Sequence, residues 1–311
     1  MKIVDSLVCP ACKNDLVRHL DKFGCSSERC IHSKHDYFFA CMDGIPVLIS
    51  ELASDTVFSS SQLDPMVLRS GDGGVLRLLK RHIVGESSVT KKNIAHFIRV
   101  LLKGAKKPRV LIIGSGEIGS GTAELYSSDI ELVGTDIYLS SYVNFVADAH
   151  YLPFKNKSFD GVFIQAVLEH VVDPQLVVSE IHRVLTTDGV VYAETPFMQQ
   201  VHEGAYDFTR YTVLGHRYLF KNFDRLDAGG LDGVGVVLAW SFRSFIHAVT
   251  RSRLMAKLIF VPLKYILTLA EKIADPRSLH DANSGSYFLG KKSEKTMAHK
   301  DLIKEYQGFK H

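Results

Sequence analysis

The chain has 311 residues, of which 46% are hydrophobic and 23% are charged, as in ordinary globular proteins. This length is enough for one large domain or two modest ones. The formal net charge of +3 is too small to indicate nucleic acid or an anionic membrane as a partner through charge alone.

All five cysteines lie within the first 41 residues. An odd, clustered set argues against a disulfide framework and for a metal site, since the N-terminus shows no signal peptide. Cys9 and Cys12 form a C-x2-C pair, and Cys25 and Cys30 form a C-x4-C pair. Four thiolates at such spacings suit a structural zinc ion. We therefore predict a small zinc domain over residues 1–50 and a cytoplasmic protein.

One cysteine and two histidines of this segment are not predicted to bind the metal. We expect Cys41 to be a spare buried cysteine, and His32 and His35 to lie on the surface rather than to replace Cys30. The stretches "LVCPACKNDL" and "DGIPVLI" resemble the zinc-ribbon protein that activates tRNA and protein methyltransferases. This resemblance covers residues 5–50 and implies a structural or docking role for the segment.

Residues 51–107 are predicted to form a Ser-rich linker and two amphipathic helices that end before Pro108. Apolar residues recur in them at helical spacing. These residues are Leu76, Leu79 and Ile83 in the first helix, and Ile94, Phe97, Ile98 and Leu101 in the second.

Residues 108–293 alternate between short apolar runs and helical patterns, which predicts an α/β, doubly wound parallel sheet. A helix is expected from Asp173, its N-cap, to about Thr187, with Gly189 ending it. The last strand is expected at Ser284–Lys292. The predicted strands are "RVLIIG", "IELVGTD", "NFVAD", "FDGVFIQ" and "GVVYAETP", with a lid over 197–222, a helical insertion over 239–275 and a tail over 294–311.

A glycine loop follows the first of these strands in "VLIIGSGEIG". Gly114, Gly116 and Gly119 allow close approach of the backbone to a ligand at a helix N-terminus. Asp136 ends the next strand, 20 residues after Gly116, where a carboxylate can accept both hydroxyls of a ribose. At this point NAD and S-adenosylmethionine fit equally well.

The following stretch, "FVADAHYLPFKNKSFDGVFIQAVLEHVVDP", resembles the class I methyltransferases of the ubiquinone/menaquinone-biosynthesis type. Together with "EIHRVLTTDGVVYAETP" the resemblance covers residues 109–196, and it implies a Rossmann-like methyltransferase that binds S-adenosylmethionine. It assigns the ribose to Asp136, the adenine ring to Ile137 and the adenine amino group to Asp148. The full set implied for the cofactor is Gly114, Ser115, Gly116, Glu117, Gly119, Asp136, Ile137, Asp148, Ala149, Gln165 and Ala166.

Two positions depart from the family pattern. Ile112 stands where the family usually has an acidic residue, and Ile118 where it usually has the third glycine. These departures favour a second interpretation, a non-catalytic protein of this fold that uses its zinc ribbon to dock a partner. A third interpretation, an RNA or protein methyltransferase, is suggested by the ribbon, but the sequence shows no concentrated basic patch for nucleic acid.

The stretch "ETPFMQQVHEGAYDFTRYTVLGHRYLF" follows the fifth strand and combines polar and aromatic residues. It resembles the corresponding part of methyltransferases found with surface-glycan biosynthesis, which implies O-methylation of a sugar or another small hydroxylated acceptor. We predict His202 as the general base and Asp207 as its orienting partner. His170 is expected near the pocket as a catalytic or capping residue, and His182 as structural. The alternative for the lid is an ordinary solvated loop.

The segment "RLMAKLIFVPLKYILTLAEKIADP" is amphipathic, and its longest apolar run, Leu258 to Leu263, is too short to span a membrane. Three interpretations remain open for it. It packs on the domain, it contacts a membrane or a lipid-linked acceptor, or it forms the face of a homodimer.

Overall fold

The computed structural model describes residues 3–52, 56, 87–119, 121–127 and 129–309, and every structural statement below refers to these residues. Most of the Ser-rich linker lies outside them. The predicted first helix, with Leu76, Leu79 and Ile83, also falls outside the described residues.

The N-terminal segment forms a four-stranded antiparallel sheet with a one-turn helix between its second and third strands. Short strands joined by tight turns bring the two cysteine pairs together. The elements are β1 (Leu16–His19), β2 (Lys22–Cys25), α1 (Ile31–Lys34), β3 (Phe38–Met42) and β4 (Ile45–Pro46).

This small sheet is built into the larger domain. The Val8 amide donates to the Pro153 carbonyl oxygen at 3.0 Å, and the Leu48 amide donates to the Val146 carbonyl oxygen at 2.7 Å. Apolar side chains of the small sheet, such as Phe39, belong to the same buried cluster as those of the large domain. The N-terminal segment is therefore an integral layer of the fold, and it covers the edge of the large sheet at Val146.

The larger domain is organised around a seven-stranded sheet with the order β10-β11-β9-β8-β5-β6-β7. The five strands from β5 to β9 pair in parallel, whereas β11 is antiparallel to both of its neighbours. The strands are β5 (Arg109–Ile113), β6 (Glu131–Asp136), β7 (Phe145–Val146), β8 (Phe159–Gln165), β9 (Leu185–Pro196), β10 (Phe223–Gly230) and β11 (Gly285–Lys292). The predicted Rossmann-like α/β sheet with a small N-terminal domain is confirmed.

Helices cover the sheet and frame its carboxyl edge. The predicted apolar positions of α2, which include Ile94 and Phe97, are buried. Asp173 caps α4 by accepting from the Leu176 amide at 3.0 Å, and Pro174 occupies the first turn. The helices are α2 (Ser88–Gly104), α3 (Ala123–Ser127), α4 (Pro174–Val184), α5 (Val213–Leu219), α6 (Val234–Thr250), α7 (Arg253–Ala270), α8 (Ser278–Asp281) and α9 (His299–Lys304).

The structure corrects the predicted end of α4. The helix stops at Val184, and β9 begins at once with Leu185, which is fully buried and pairs with Phe159. Thr186, Thr187 and Asp188 are weak helix formers, and burial of Leu185 in the sheet favours the strand. Gly189 consequently lies inside β9 and does not end the helix.

Helices α6 and α7 pack against each other as a hairpin inserted between β10 and β11. Only Ala256 and Phe260 of α7 are buried, and most of its large apolar side chains are exposed. Among the helices that the structure describes, none combines the length and the apolarity needed to cross a membrane.

Candidate functional site

A cavity of about 1400 Å³ opens at the carboxyl ends of the parallel strands. In open α/β sheets this edge is where ligands bind, at the point where the strand order reverses, here between β5 and β8. The cavity is lined by most of the predicted cofactor residues, namely Gly114, Gly116, Glu117, Gly119, Asp136, Ile137, Asp148, Ala149, Gln165 and Ala166. Ser115 does not line it, since its buried hydroxyl donates to the Tyr142 carbonyl oxygen at 3.2 Å.

The glycine loop sits tightly against the ends of β6 and β8. The Gly116 amide donates to Asp136 Oδ2 at 2.7 Å, which fixes this carboxylate at the cavity wall. A Cβ at Gly119 would lie 2.0 Å from Gln165 Oε1. Gly114 has a φ of +78°, and a Cβ there would lie 2.2 Å from a methyl carbon of Val167. Side chains are excluded at Gly114 and Gly119, so the loop backbone itself faces the ligand.

Asp148 presents a buried carboxylate inside the cavity. Its Oδ1 accepts from the His150 amide at 2.9 Å and from His150 Nδ1 at 2.6 Å. Burial alone would raise the pKa of Asp148, but the hydrogen bonds from His150 hold it below its usual value. The other oxygen, Oδ2, is buried and makes no hydrogen bond of ordinary geometry. The Thr56 side chain also contributes a hydrogen bond to this carboxyl group. A carboxylate at this place in the cavity can in addition accept from the amino group of an adenine.

Ile112 lines the cavity where the family pattern would have an acidic residue. Its side chain supplies an apolar contact and no charge for the amino group of a cofactor. The cofactor side of the cavity therefore combines two fixed carboxylates, Asp136 and Asp148, with a backbone cradle.

Sequence reasoning missed Glu194, which lies two residues before the end of β9, lines the cavity and is nearly fully buried. It accepts from Gln165 Nε2 at 2.6 Å and from the Thr90 hydroxyl at 2.8 Å, and the Tyr192 hydroxyl also donates to it. Burial raises the pKa of Glu194 above its usual value. Its position at the end of "YAET", on a predicted strand, was the signal that could have found it.

The predicted catalytic residues also lie close together. His170 Nε2 is 3.1 Å from His202 Nε2, and His202 Nδ1 is 3.3 Å from Asp207 Oδ2. Arg210 forms a bidentate ion pair with Asp207. His170 and His202 line the cavity, whereas Asp207 stands behind His202 and orients it. The lid places the pair beside Glu169, which the sequence analysis missed.

The two carboxyl groups of this cluster have opposite electrostatic environments. Hydrogen bonds from Arg210 lower the pKa of Asp207 to about 2, so this carboxylate is ionised at every working pH. Burial raises the pKa of Glu169 to about 8. Titratable groups with strongly shifted pKa values in one cavity are typical of active sites.

The four predicted zinc ligands also come together. The Sγ atoms of Cys9 and Cys30 are 3.7 Å apart, those of Cys12 and Cys25 are 3.4 Å apart, and all four lie within 4.8 Å of one another. Thiolates at ~2.3 Å from a tetrahedral zinc ion lie about 3.8 Å apart. The four cysteines therefore fit zinc, and Cys41 is not part of the cluster.

The predicted surface position of His32 is wrong, whereas His35 is exposed as expected. His32 is fully buried, with its Nδ1 3.2 Å from Cys9 Sγ and its Nε2 2.9 Å from the Ser50 hydroxyl. A ring nitrogen so close to a thiolate supports the charge of that thiolate when it donates to it. Packing of the ring against Phe39 explains the burial.

We expect Cys9→Ser to lose the metal and to weaken the adenine side of the cavity. The N-terminal segment holds Val146 through Leu48, and Asp148 follows two residues later. Elemental analysis should find about one zinc per chain more in the wild type and in the Cys41→Ser control than in Cys9→Ser. Equal zinc in both variants would contradict the site.

His216 provides a pH dependence of stability. It is buried beside the cavity, with Nε2 3.0 Å from the Thr195 hydroxyl, and burial lowers its pKa to about 3. The unfolded state, with a histidine pKa near 6.5, binds the proton first as the pH falls. Stability is therefore lost below pH 6.5, by about 2 kcal/mol at pH 5. Urea unfolding at pH 5 and 7.5 should show a smaller change in the free energy of unfolding for His216→Gln than for the wild type. Equal changes in the two proteins would contradict the role of His216.

Comparison with known proteins finds a family match over the part of the chain that contains many of the cavity residues. Residues 111–193 match the sequence model of a family described as "Methyltransferase domain". This segment of the chain is similar to a methyltransferase domain. The match begins inside β5 and ends inside β9, so it includes the cofactor side of the cavity and the Glu169–His170 turn, and it confirms the predicted methyltransferase. No curated protein matches the chain.

Solved structures with a similar fold include a SAM dependent methyltransferase from Archaeoglobus fulgidus, at 19% identity and a TM-score of 0.43, covering 70% of this chain and 99% of that one. A putative sarcosine dimethylglycine methyltransferase from Galdieria sulphuraria is similar at 16% identity and a TM-score of 0.43, covering 66% and 86%. A complex of the Haloferax volcanii Trm112 methyltransferase activator and a putative methyltransferase is similar at 16% identity and a TM-score of 0.39, covering 67% and 95%.

Proposed function

We propose that this methyltransferase domain transfers a methyl group from S-adenosylmethionine to a hydroxyl group of a sugar or a similar small polar acceptor. One observation carries the proposal. The two fixed carboxylates Asp136 and Asp148 and the histidine pair His170–His202 line a single cavity. The same cavity can therefore hold the cofactor and the molecule that accepts its methyl group.

The bound cofactor supplies a sulfonium methyl group, which a nucleophile displaces in line. The chain's own residues align the acceptor and handle its proton. His202 takes the hydroxyl proton on Nε2, while its Nδ1 faces the Asp207 carboxylate. Arg210 holds that carboxylate in place, so the imidazolium that forms is stabilised by Asp207.

The acceptor side of the cavity is polar. Its lining includes Gln199, Glu203, Tyr206, Asp232 and Lys264, which present both donors and acceptors. Hydroxyl-rich molecules need such alternating partners, since each buried hydroxyl must keep its hydrogen bonds. This composition favours a sugar over an apolar acceptor.

The test is methyl transfer from radiolabelled S-adenosylmethionine to a panel of hydroxylated sugars, amines and carboxylates. We expect the radiolabelled methyl group to appear in O-methyl ethers, with one S-adenosylhomocysteine released per methyl group. Transfer confined to amines or to RNA would replace the O-methylation proposal with another methyltransferase class.

We further propose that the α6–α7 hairpin rests on an anionic membrane surface and presents a lipid-linked acceptor to the cavity. Trp240 and Lys264 of the hairpin line the cavity. Its outer face exposes large apolar side chains, including Phe245 and Leu258, each about 60% exposed. Six cationic residues and only one acidic residue, Glu271, lie between residues 234 and 273. Apolar and cationic side chains together suit an anionic lipid interface.

Wild-type protein should sediment with anionic vesicles, and Phe245→Glu combined with Leu258→Glu should reduce the partition coefficient at least ~10-fold, because each buried apolar side chain contributes about 1.5–3 kcal/mol. Ile303→Glu, an exposed apolar position outside the hairpin, serves as the matched control. Equal sedimentation of the double variant, or a wild-type dimer that the double variant disrupts, would contradict the membrane contact.

A further inference from the structure

The hydrogen-bond partners of His170 and His202 determine which ring nitrogen of each carries the proton. His170 Nδ1 is 2.6 Å from the Tyr206 carbonyl oxygen, which can only accept, so Nδ1 carries a proton. His202 Nδ1 is 3.3 Å from Asp207 Oδ2, an ionised carboxylate that also only accepts. Each neutral ring therefore keeps a lone pair on Nε2.

These two lone pairs point at each other. The Nε2 atoms are 3.1 Å apart, a hydrogen-bond distance with no proton between them when both rings are neutral. Two facing acceptors repel each other, and a positive centre between them removes the repulsion.

Glu169 brings a third ligand to the same point. Its side chain is fully buried, and neither carboxylate oxygen has a hydrogen-bond partner. Oε1 lies 3.6 Å from His170 Nε2 and 3.8 Å from His202 Nε2. Burial disfavours the ionised form of a carboxyl group without hydrogen bonds, and a bound cation would stabilise that form.

The geometry points to a divalent transition-metal site formed by Glu169, His170 and His202, and we propose that the chain binds one such ion there. Ligand atoms ~2.1 Å from a metal ion in tetrahedral or octahedral positions lie about 3.0–3.4 Å apart. The observed separations of 3.1, 3.6 and 3.8 Å need only a small contraction.

The surrounding contacts are those of metal-bound histidines. Metal-ligating imidazoles usually donate their other ring nitrogen to a carboxylate or a carbonyl group. Here Asp207 serves His202, and the Tyr206 carbonyl serves His170. Two imidazoles and one carboxylate favour Mn²⁺, Fe²⁺, Co²⁺ or Zn²⁺ over Ca²⁺ and Mg²⁺, which prefer oxygen ligands.

The three ligands line the cavity, so the remaining coordination positions face the acceptor. A cation at this point lowers the pKa of a hydroxyl that it contacts. The binding site itself stands on these three residues, whereas its part in methyl transfer rests on the function proposed above. With an ion bound, His202 would act as a ligand, and a hydroxyl acidified by the cation would release its proton to water in the open cavity.

The test uses the full chain with its ribbon loaded with zinc, and Mn²⁺ as the probe, because thiolates retain zinc in preference to Mn²⁺. Loss of the free Mn²⁺ signal in electron paramagnetic resonance measures binding without any activity assay. The wild type should bind one Mn²⁺ per chain, and Glu169→Gln and His170→Ala should each raise the dissociation constant at least ~10-fold. Glu117→Gln, an exposed carboxylate of the same cavity outside the cluster, should bind Mn²⁺ like the wild type.

Absence of Mn²⁺ binding by the wild type, or unchanged binding by Glu169→Gln, would overturn the site. In that case NMR of the imidazole nitrogens should find one shared proton between His170 and His202. Calorimetry with S-adenosylmethionine separates the two proposals, because Glu169→Gln should keep its cofactor affinity. Mn²⁺ binding without any methyl transfer would leave the metal site standing and remove the proposed function.

Discussion

His202→Ala should lower kcat for methyl transfer by about 10²–10⁴-fold, the usual contribution of a positioned acid–base group. The loss follows whether His202 takes the proton itself or holds the cation that activates the hydroxyl. Cofactor affinity should stay unchanged, because the polar contacts of His202 are with His170, Glu169 and Asp207 and not with the predicted cofactor residues.

The measurement is initial-rate kinetics with saturating cofactor, combined with calorimetry of S-adenosylmethionine binding. His35→Ala serves as the control, since His35 is exposed on the N-terminal segment and outside the cavity. Full activity of His202→Ala would place the acceptor elsewhere and would reduce the His170–His202 pair to a structural contact.

Gly114→Ala should abolish tight cofactor binding. Alanine at φ +78° costs about 1–2 kcal/mol, and its Cβ would lie 2.2 Å from a Val167 methyl carbon. Either the glycine loop or the Val167 segment must move, and the cofactor cradle is lost. We expect the dissociation constant for S-adenosylmethionine to rise at least ~10-fold, which corresponds to about 1.4 kcal/mol.

Gly44→Ala is the matched control for this variant. Gly44 has a φ of +79°, and a Cβ there would meet no atom within 4 Å. Both variants carry the same backbone strain, but only Gly114→Ala adds a clash at the cavity. Calorimetry should find wild-type affinity in Gly44→Ala. Similar affinities in the two variants would mean that the loop does not hold the cofactor.

The strands of the parallel sheet were predictable because their apolar runs are short and bounded by turn residues. Strand β10 was missed because "FDRLDAGG" carries three charged residues and two glycines, which hide an edge strand from a search for apolar runs. The end of α4 was misplaced for a related reason, since pairing of Leu185 with Phe159 joins residues distant in sequence.

Some residues of the site could likewise be predicted from local sequence patterns, whereas others could not. The glycine loop, Asp136 and Asp148 follow strand ends at fixed spacing, so local patterns locate them. Glu169 carries no such signal, because an acidic residue next to a histidine is common on protein surfaces. Its burial depends on the lid, whose Phe208 amide donates to the Glu169 carbonyl oxygen at 2.7 Å.

The N-terminal segment bears on the docking interpretation. Lys13 reaches across to the large domain and pairs with Glu180 at 2.8 Å. Val8 and Leu48 of the same segment likewise form hydrogen bonds with the large domain. A segment engaged in this way supports the edge of the cavity, which argues for a structural role over docking of a separate partner.

The most direct measurement is calorimetric titration of S-adenosylmethionine into the zinc-loaded wild-type chain and into Asp136→Ala. The account predicts micromolar binding by the wild type and its loss in the variant, because Asp136 is fixed by the Gly116 amide at the cavity wall. No binding to folded, zinc-loaded wild type would contradict it. Ile112 and Ile118 would then mark a cavity that no longer holds a cofactor, and a non-catalytic role would replace the enzyme.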